Sequence, residues 1–217
     1  MSLRPLTPVE ARIVAVLVEK QATVPDTYPL SLNALTAGCN QKTARDPVMA
    51  LSEADVLAAI DELKALSLVL EVSGHRVMRY EHNLGRVLGV PSQSVALLAT
   101  LMLRGPQTAA ELRTHSERLH RFADVSSVEG FLDELATREP QRVLRLPRAP
   151  GAREARWAHL VCGPVDVTAH AAVSADEASR DEVIAQLRAE QAALRDEVAQ
   201  LRQAVDEMAQ ALGMSKT

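Results

Sequence analysis

The stretch "SEADVLAAIDELKALSLVLEVSGHRVMRYE" (Ser52–Glu81) changes its hydrophobic period halfway along. Up to Leu66 the apolar residues Val56, Ile60 and Leu63 recur at helical spacing behind the start signal Ser52-Glu53-Ala54-Asp55. Beyond it, "LVLEV" and "RVMRYE" flank the turn "SGH" and read as a β-hairpin. A helix running straight into a hairpin is the second half of a winged helix, and the upstream residues supply the first half. Thr7-Pro8-Val9-Glu10 is a capping box with proline at the first helical position, where its missing N–H is harmless. Val9, Ile13, Val16 and Leu17 then share one face, which predicts a helix to about Lys20. Ser31 caps a short second helix through "LNALTAG", with Gly38 as its stop signal.

The same order recurs downstream. "SQSVALLATLMLRG" predicts a helix, Thr108-Ala109-Ala110-Glu111 caps a second, and Ser126-Ser127-Val128-Glu129 caps a third. "RVLRL" and "EARWAHLV" form another hairpin. The third helices align without gaps, "VLAAIDEL" from Val56 against "VEGFLDEL" from Val128. The expected fold class is therefore mainly α with small β-hairpins (α+β), as two tandem winged-helix domains over residues 1–86 and 87–163. "NLGRVLGVP" (Asn83 to Pro91) reads as the connector and is too short for a free tether.

Residues 164–175 read as a linker, and residues 176–213 as a last helix whose apolar period is seven. Ile184, Gln191, Val198, Val205 and Leu212 occupy a, while Leu187, Leu194, Leu201 and Met208 occupy d. Glu190 and Glu197 fall at g, and Arg188, Arg195 and Arg202 at e. In a parallel pair g meets the partner's following e, so Glu190 faces Arg195 and Glu197 faces Arg202; an antiparallel pair sets like charges together. The expectation is a parallel homodimeric coiled coil, its register set by Gln191.

"LTPVEARIVAVLVEKQATVPDTYPLSLNALTAGCNQKTARDPV", "LMLRGPQTAAELRTHSERLHRF" and "LPRAPGAREARWAHLVCG" together resemble the YceH-like family of bacterial proteins, over about residues 6–163. The resemblance implies two consecutive winged-helix domains. It brings no catalytic or binding residue with it, and the C-terminal heptads lie outside it.

Charge decides what such a fold could read. Residues 1–86 carry 9 basic and 10 acidic side chains (−1), residues 87–163 carry 10 and 8 (+2), and residues 164–217 carry 5 and 10 (−5). Attraction to a polyanion must then be local. A winged helix usually lays its third helix in the major groove, yet both candidates are acidic. Residues 52–66 hold Glu53, Asp55, Asp61 and Glu62 against Lys64, and residues 126–139 hold Glu129, Asp133, Glu134 and Glu139 against Arg138. Such faces repel phosphates, whose neutralisation normally supplies affinity.

The basic groups lie elsewhere: Arg142, Arg145, Arg148, Arg153 and Arg156 on the second hairpin, and His75, Arg76 and Arg79 on the first. The polar segment between helices 2 and 3, some thirteen residues from Cys39 to Leu51, adds Asn40, Gln41, Lys42 and Arg45. It is longer than the usual turn, and reads either as a binding loop or as a brace with Arg45 and Asp46 paired locally; binding is the expectation adopted. Arg outnumbers Lys 20 to 4, so arginine in a hairpin is partly compositional.

Other classes fit less well. His115 and His120 are five apart, not the four that set two zinc ligands on one helical face, and no phosphate loop or nucleophile elbow occurs. Asp61-Glu62 and Asp133-Glu134 are adjacent on helices and diverge by about 100°. Cys39 and Cys162 match no metal-ligand spacing and read as reduced, small apolar residues. The five aromatics argue against a stacking platform for single strands. No apolar h-region or membrane span is present, so a cytoplasmic protein with no cofactor, no metal and no enzymatic activity is expected. The reading adopted is a dimeric, transcription-regulator-like protein contacting double-stranded DNA through its basic wings and the loop after helix 2. The alternative is a protein-interaction module whose acidic third helices dock a basic partner.

Overall fold

The computed structural model describes residues 3–73, 77–148 and 154–166, together with positions 186, 190–192, 194–195, 198–199, 202 and 208. The first three segments belong to one compact unit, and the later positions belong to a second.

In the first unit, α1 (Pro8–Thr23) starts at the expected capping box. The Glu10 N–H donates to Thr7 Oγ1 at 3.2 Å, and the Thr7 N–H donates to Glu10 Oε2 at 2.7 Å. A strand β1 (Leu30–Ser31) runs into α2 (Leu32–Cys39), capped by Ser31. Helix α3 (Glu53–Ala65) is capped by Ser52 and Asp55 and buries Val56, Ile60 and Leu63. The hairpin follows as β2 (Val69–Ser73) and β3 (Met78–His82), with β1 pairing to the far side of β3, Leu30 opposite Tyr80. The expected stop at Gly38 is corrected: α2 continues through it to Cys39. A Cβ on Gly38 would stand 2.7 Å from Val16 Cγ1, so this glycine lets α2 approach α1 rather than ending the helix.

The connector contains a helical turn, α4 (Leu84–Leu88), closed by Gly89 at φ 62°. Then come α5 (Ser92–Arg104), α6 (Ala109–His115), α7 (Val125–Thr137), β4 (Val143–Arg145) and β5 (Trp157–His159). The buried residues of α7, Val128, Leu132 and Leu135, are those that the ungapped alignment sets against Val56, Ile60 and Leu63. Gln107, just before the Thr108 cap of α6, bridges antiparallel to Trp157. Leu30–Ser31 does the same for β3, so both halves repeat even this short third strand. One expected start is corrected: Asp124, not Ser126, caps α7, its Oδ1 accepting from the Ser127 N–H at 2.7 Å. A carboxylate two residues earlier satisfies the first free N–H groups of the longer helix and complements the helix dipole.

Helices α1 and α5 are buried nearly all round. Every residue from Glu10 to Val18 and from Ser94 to Leu103 is buried, because the two helices pack on each other as well as on their own halves. The sequence stripe of Val9, Ile13, Val16 and Leu17 therefore describes only part of α1, and Val9 itself is half-buried. Both halves share one apolar core.

Candidate nucleic-acid interface

The loop after α2 is tied down from both ends. The Asn40 side chain donates to the Leu51 carbonyl and accepts from the Leu51 N–H, both at 2.8 Å, closing the loop as a bridge of two strands would. Arg45, whose side chain is fully buried, grips both Glu19 oxygens at 3.2 and 2.6 Å and also donates to Gln41 Oε1 at 2.6 Å. Its partner is thus Glu19 on α1, not the expected Asp46. Burial alone would raise the Glu19 carboxyl; the Arg45 hydrogen bonds and charge outweigh it and hold the group below the usual range. The Asp46 N–H donates to the Leu103 carbonyl at 2.7 Å, which fastens the loop to α5. Arg12, buried on α1, donates to the Pro47 carbonyl at 2.7 Å from below.

Asn40, Gln41 and Arg45, offered by the sequence as binding residues, are therefore engaged in holding the loop, and only Lys42 of that set stands exposed. On the first hairpin Arg79 donates to the carbonyls of Thr27 and Pro29 at 3.0 and 2.6 Å. His75 and Arg76 lie outside the described residues, as does Arg153 on the second hairpin. Arg156 donates to the Pro106 carbonyl at 2.9 Å and lies 3.4 Å from Glu111. Arg142 is half-buried, and burial, then the charge of Arg138, lowers its pKa. Arg145 sits 5.7 Å over the Trp157 ring and is exposed, as is Arg148. Among the described residues, the candidate cations that are exposed and unengaged by hydrogen bonds are thus Lys42, Arg145 and Arg148.

The acidic helices differ from each other in how their charge is met. On α3, Glu53 accepts from Asn33, Glu62 lies 3.2 Å from Arg4, and Lys64 lies 3.5 Å from Asp61 and bonds Glu71. On α7, Glu129, Asp133 and Glu134 are exposed, and their carboxylates meet no hydrogen-bonding or ionic partner among the described residues.

A family model described as "Protein of unknown function, DUF480" matches residues 6–152. The chain is also 71% identical over 216 residues to a UPF0502 protein of Leptothrix cholodnii, covering 98% of this chain and 97% of that one. The chain belongs to the DUF480 (UPF0502) family. UPF0502 proteins of Cupriavidus taiwanensis and Burkholderia multivorans are 64% and 65% identical, covering 99% and 98% of this chain and 90% and 92% of theirs. This is the family that the sequence motifs resemble, and the relatives, unlike the family model, extend over the C-terminal segment too.

In this UPF0502 chain the described C-terminal positions are helical and exposed. Leu194, Val198 and Met208, three of the expected heptad residues, are 60%, 46% and 59% exposed, and Gln191, Leu194 and Val198 line a groove with Arg195 and Arg202. Ile184, Leu187, Leu201 and Val205 lie outside the described residues. No described helix is long and apolar enough to cross a membrane. Among the described residues no group of three or more His, Cys, Asp or Glu side chains could hold a metal ion. Cys39 and Cys162 are free thiols; burial pushes Cys39 up to about 12.

The engagement of the loop with α1 and α5 is not written in the local sequence. Arg45 and Glu19 are 26 residues apart, and no local pattern pairs them. The one available signal was α1 itself, where "ARIVAVLV" carries an arginine within an otherwise apolar run that must find carbonyl partners if buried.

Proposed function

We propose that this protein is a dimeric, cytoplasmic, non-enzymatic DNA-binding protein of the transcription-regulator type, built on two tandem winged helices. Its contacts are led by the second hairpin, not by a recognition helix. The observation that carries this reading is the exposed pair Arg145 and Arg148 on and beside β4, together with three helices and a hairpin repeated twice. Strand β4 holds Arg145 over Trp157, so its guanidinium is partly ordered before any phosphate arrives. Lys42 adds a contact from the braced loop. A parallel coiled coil through the C-terminal heptads doubles the set; the exposure of Leu194, Val198 and Met208 supports such a partner face.

The test is fluorescence anisotropy of the full chain with mixed-sequence duplex DNA at several salt concentrations. Three cations per chain, doubled, give a log–log salt slope of about −5. Arg145→Glu and Arg148→Glu each weaken binding and flatten that slope. Absence of binding at low salt rejects the reading. A second reading rests on the unpaired carboxylates Glu129, Asp133 and Glu134: α7 docks a basic protein partner. Under that reading DNA is not bound at all.

A further inference from the structure

A cleft of about 200 Å³ lies at the seam of the two halves, between the later turns of α1, the loop after α2, the last turn of α5 and the end of α6. Four cations line it (Lys20, Arg45, Arg104 and Arg118) against a single carboxylate, Glu19. That carboxylate is already satisfied, with Arg45 on both oxygens and Lys20 at 3.2 Å from one of them. Arg45 in turn has the carbonyls of Gly38 and Ala44.

Two guanidiniums are left over. Arg104 and Arg118 form no hydrogen bond or ion pair among the described residues. Lys20 keeps one of its three donors, since Glu19 and Gln41 take the others. The hydroxyl of Thr43, also in the lining, has no partner there either. Arg104 is half-buried, and loss of hydration, first, lowers its pKa, with Arg45 adding to the effect and Glu19 opposing it. A partly dehydrated cation beside other cations is unfavourable until an anion arrives.

We propose that this cleft binds a small phosphate-bearing molecule, with Arg104 and Arg118 gripping the phosphate and Lys20 and Thr43 as flanking donors. The charge count selects the class, because two unengaged guanidiniums are matched by one phosphomonoester dianion, whose oxygens suit the planar guanidinium fork. The volume selects the size, since drug-sized ligands occupy pockets of about 300 Å³ or more. The bound phosphate ties α1 to α5 and to the turn after α6, so it braces one half against the other. The site is independent of the DNA reading, which uses Lys42, Arg145 and Arg148.

The experiment is calorimetric titration and thermal denaturation of the full chain with inorganic phosphate and with glycerol 3-phosphate, at matched ionic strength and with succinate as a dicarboxylate comparator. The expected result is one site per chain, a millimolar or tighter Kd for glycerol 3-phosphate, and a rise in Tm with ligand. Arg104→Gln and Arg118→Gln each weaken binding about tenfold or more, as loss of a charge-assisted hydrogen bond implies. Arg121→Gln, on an exposed residue outside the cleft, leaves it unchanged. Arg118 is itself exposed, so its variant folds even where the Arg104 variant does not. No saturable binding of either phosphate probe overturns the proposal. So does binding that the Arg118 variant retains in full, or succinate binding as tightly as glycerol 3-phosphate.

Discussion

Arg45 and Glu19 form a two-pronged ion pair, 3.2 and 2.6 Å, that joins the loop after α2 to α1. The Arg45 side chain is wholly buried and that of Glu19 is 16% exposed, so removing one partner strands the other away from water. Arg45→Met is expected to destabilise the protein by about 3–5 kcal/mol, in the range for breaking a buried pair. Denaturant unfolding checks this, and a double-mutant cycle with Glu19→Gln separates the pair from its neighbours. A variant within ~0.5 kcal/mol of wild type would mean that the loop is not held this way.

Gly38→Ala tests how closely α2 approaches α1. The new Cβ meets Val16 Cγ1 at 2.7 Å, inside any real contact, on two helices that are both packed on their other sides. Overpacking of this kind costs about 1–3 kcal/mol. In a Val16→Ala background, where the obstructing methyl is gone, the same Gly38→Ala substitution costs less, a dependence on Val16 that helix propensity cannot produce. Equal stability of the Gly38→Ala and wild-type proteins in urea would contradict the packing.

Why some of this was legible and some was not follows from range. Caps such as Thr7 with Glu10, Ser52 with Asp55 and Thr108 with Glu111 are contacts across three residues, and each appears where the spacing puts it. The alignment of Val56, Ile60 and Leu63 with Val128, Leu132 and Leu135 likewise depends only on local period. By contrast Asn40 with Leu51, Arg45 with Glu19 and Asp46 with Leu103 are tertiary. A polar loop that binds and a polar loop that braces have the same composition. Only the partners distinguish them, and for Asn40, Gln41 and Arg45 the partners are internal.

The shared α1–α5 packing predicts that the halves do not fold apart. In isolation, residues 1–86 would expose the face of α1 that α5 covers, and residues 87–163 the reverse. Each fully buried Val, Leu or Ile contributes roughly 1.5–3 kcal/mol, so losing a face of several exceeds the stability of a small domain. Each piece is expected to aggregate or lack cooperative melting. In the full chain, calorimetry should show one transition for both halves, with calorimetric and van't Hoff enthalpies equal. Two separate transitions assigned to the halves would refute the single core.

Two buried histidines make stability depend on pH below neutrality. Burial pushes His82 and His159 down to about 4 from an ordinary 6.5. His82 is held neutral by its contacts as well: its Nδ1 accepts from the Leu84 N–H, so Nε2 donates to Gln21 Oε1 at 2.8 Å. The unfolded chain takes up these protons near pH 6.5 and the folded chain only near pH 4. Stability from both groups is therefore whole above the unfolded value and falls as pH drops through the folded one. Tm measured from neutral pH downward should begin to decline below about 6.5, and the decline should flatten near 4, carboxylate titration apart. His82→Gln keeps an amide in place of the imidazole and should make that part of the slope shallower. NMR titration of the His82 ring gives the direct readout; a folded-state midpoint near 6.5 would show that the ring is hydrated and that the slope has another source.

Helix α7 separates the two functional readings with one pair of substitutions. Glu129 and Asp133 are exposed and unpaired among the described residues, and α7 packs against β4, which carries Arg145. If the second hairpin meets DNA, these carboxylates oppose the approaching phosphates within about a Debye length, ~8 Å at physiological salt. Glu129→Gln with Asp133→Asn should then tighten duplex binding severalfold at low salt and much less at high salt, where screening already removes the repulsion. If α7 instead docks a basic partner, the same variant forfeits that partner and gains nothing with DNA. Anisotropy of the wild-type and variant chains on one duplex, at two salt concentrations, decides between them: a gain confined to low salt supports the hairpin, and no change with no binding favours the protein partner.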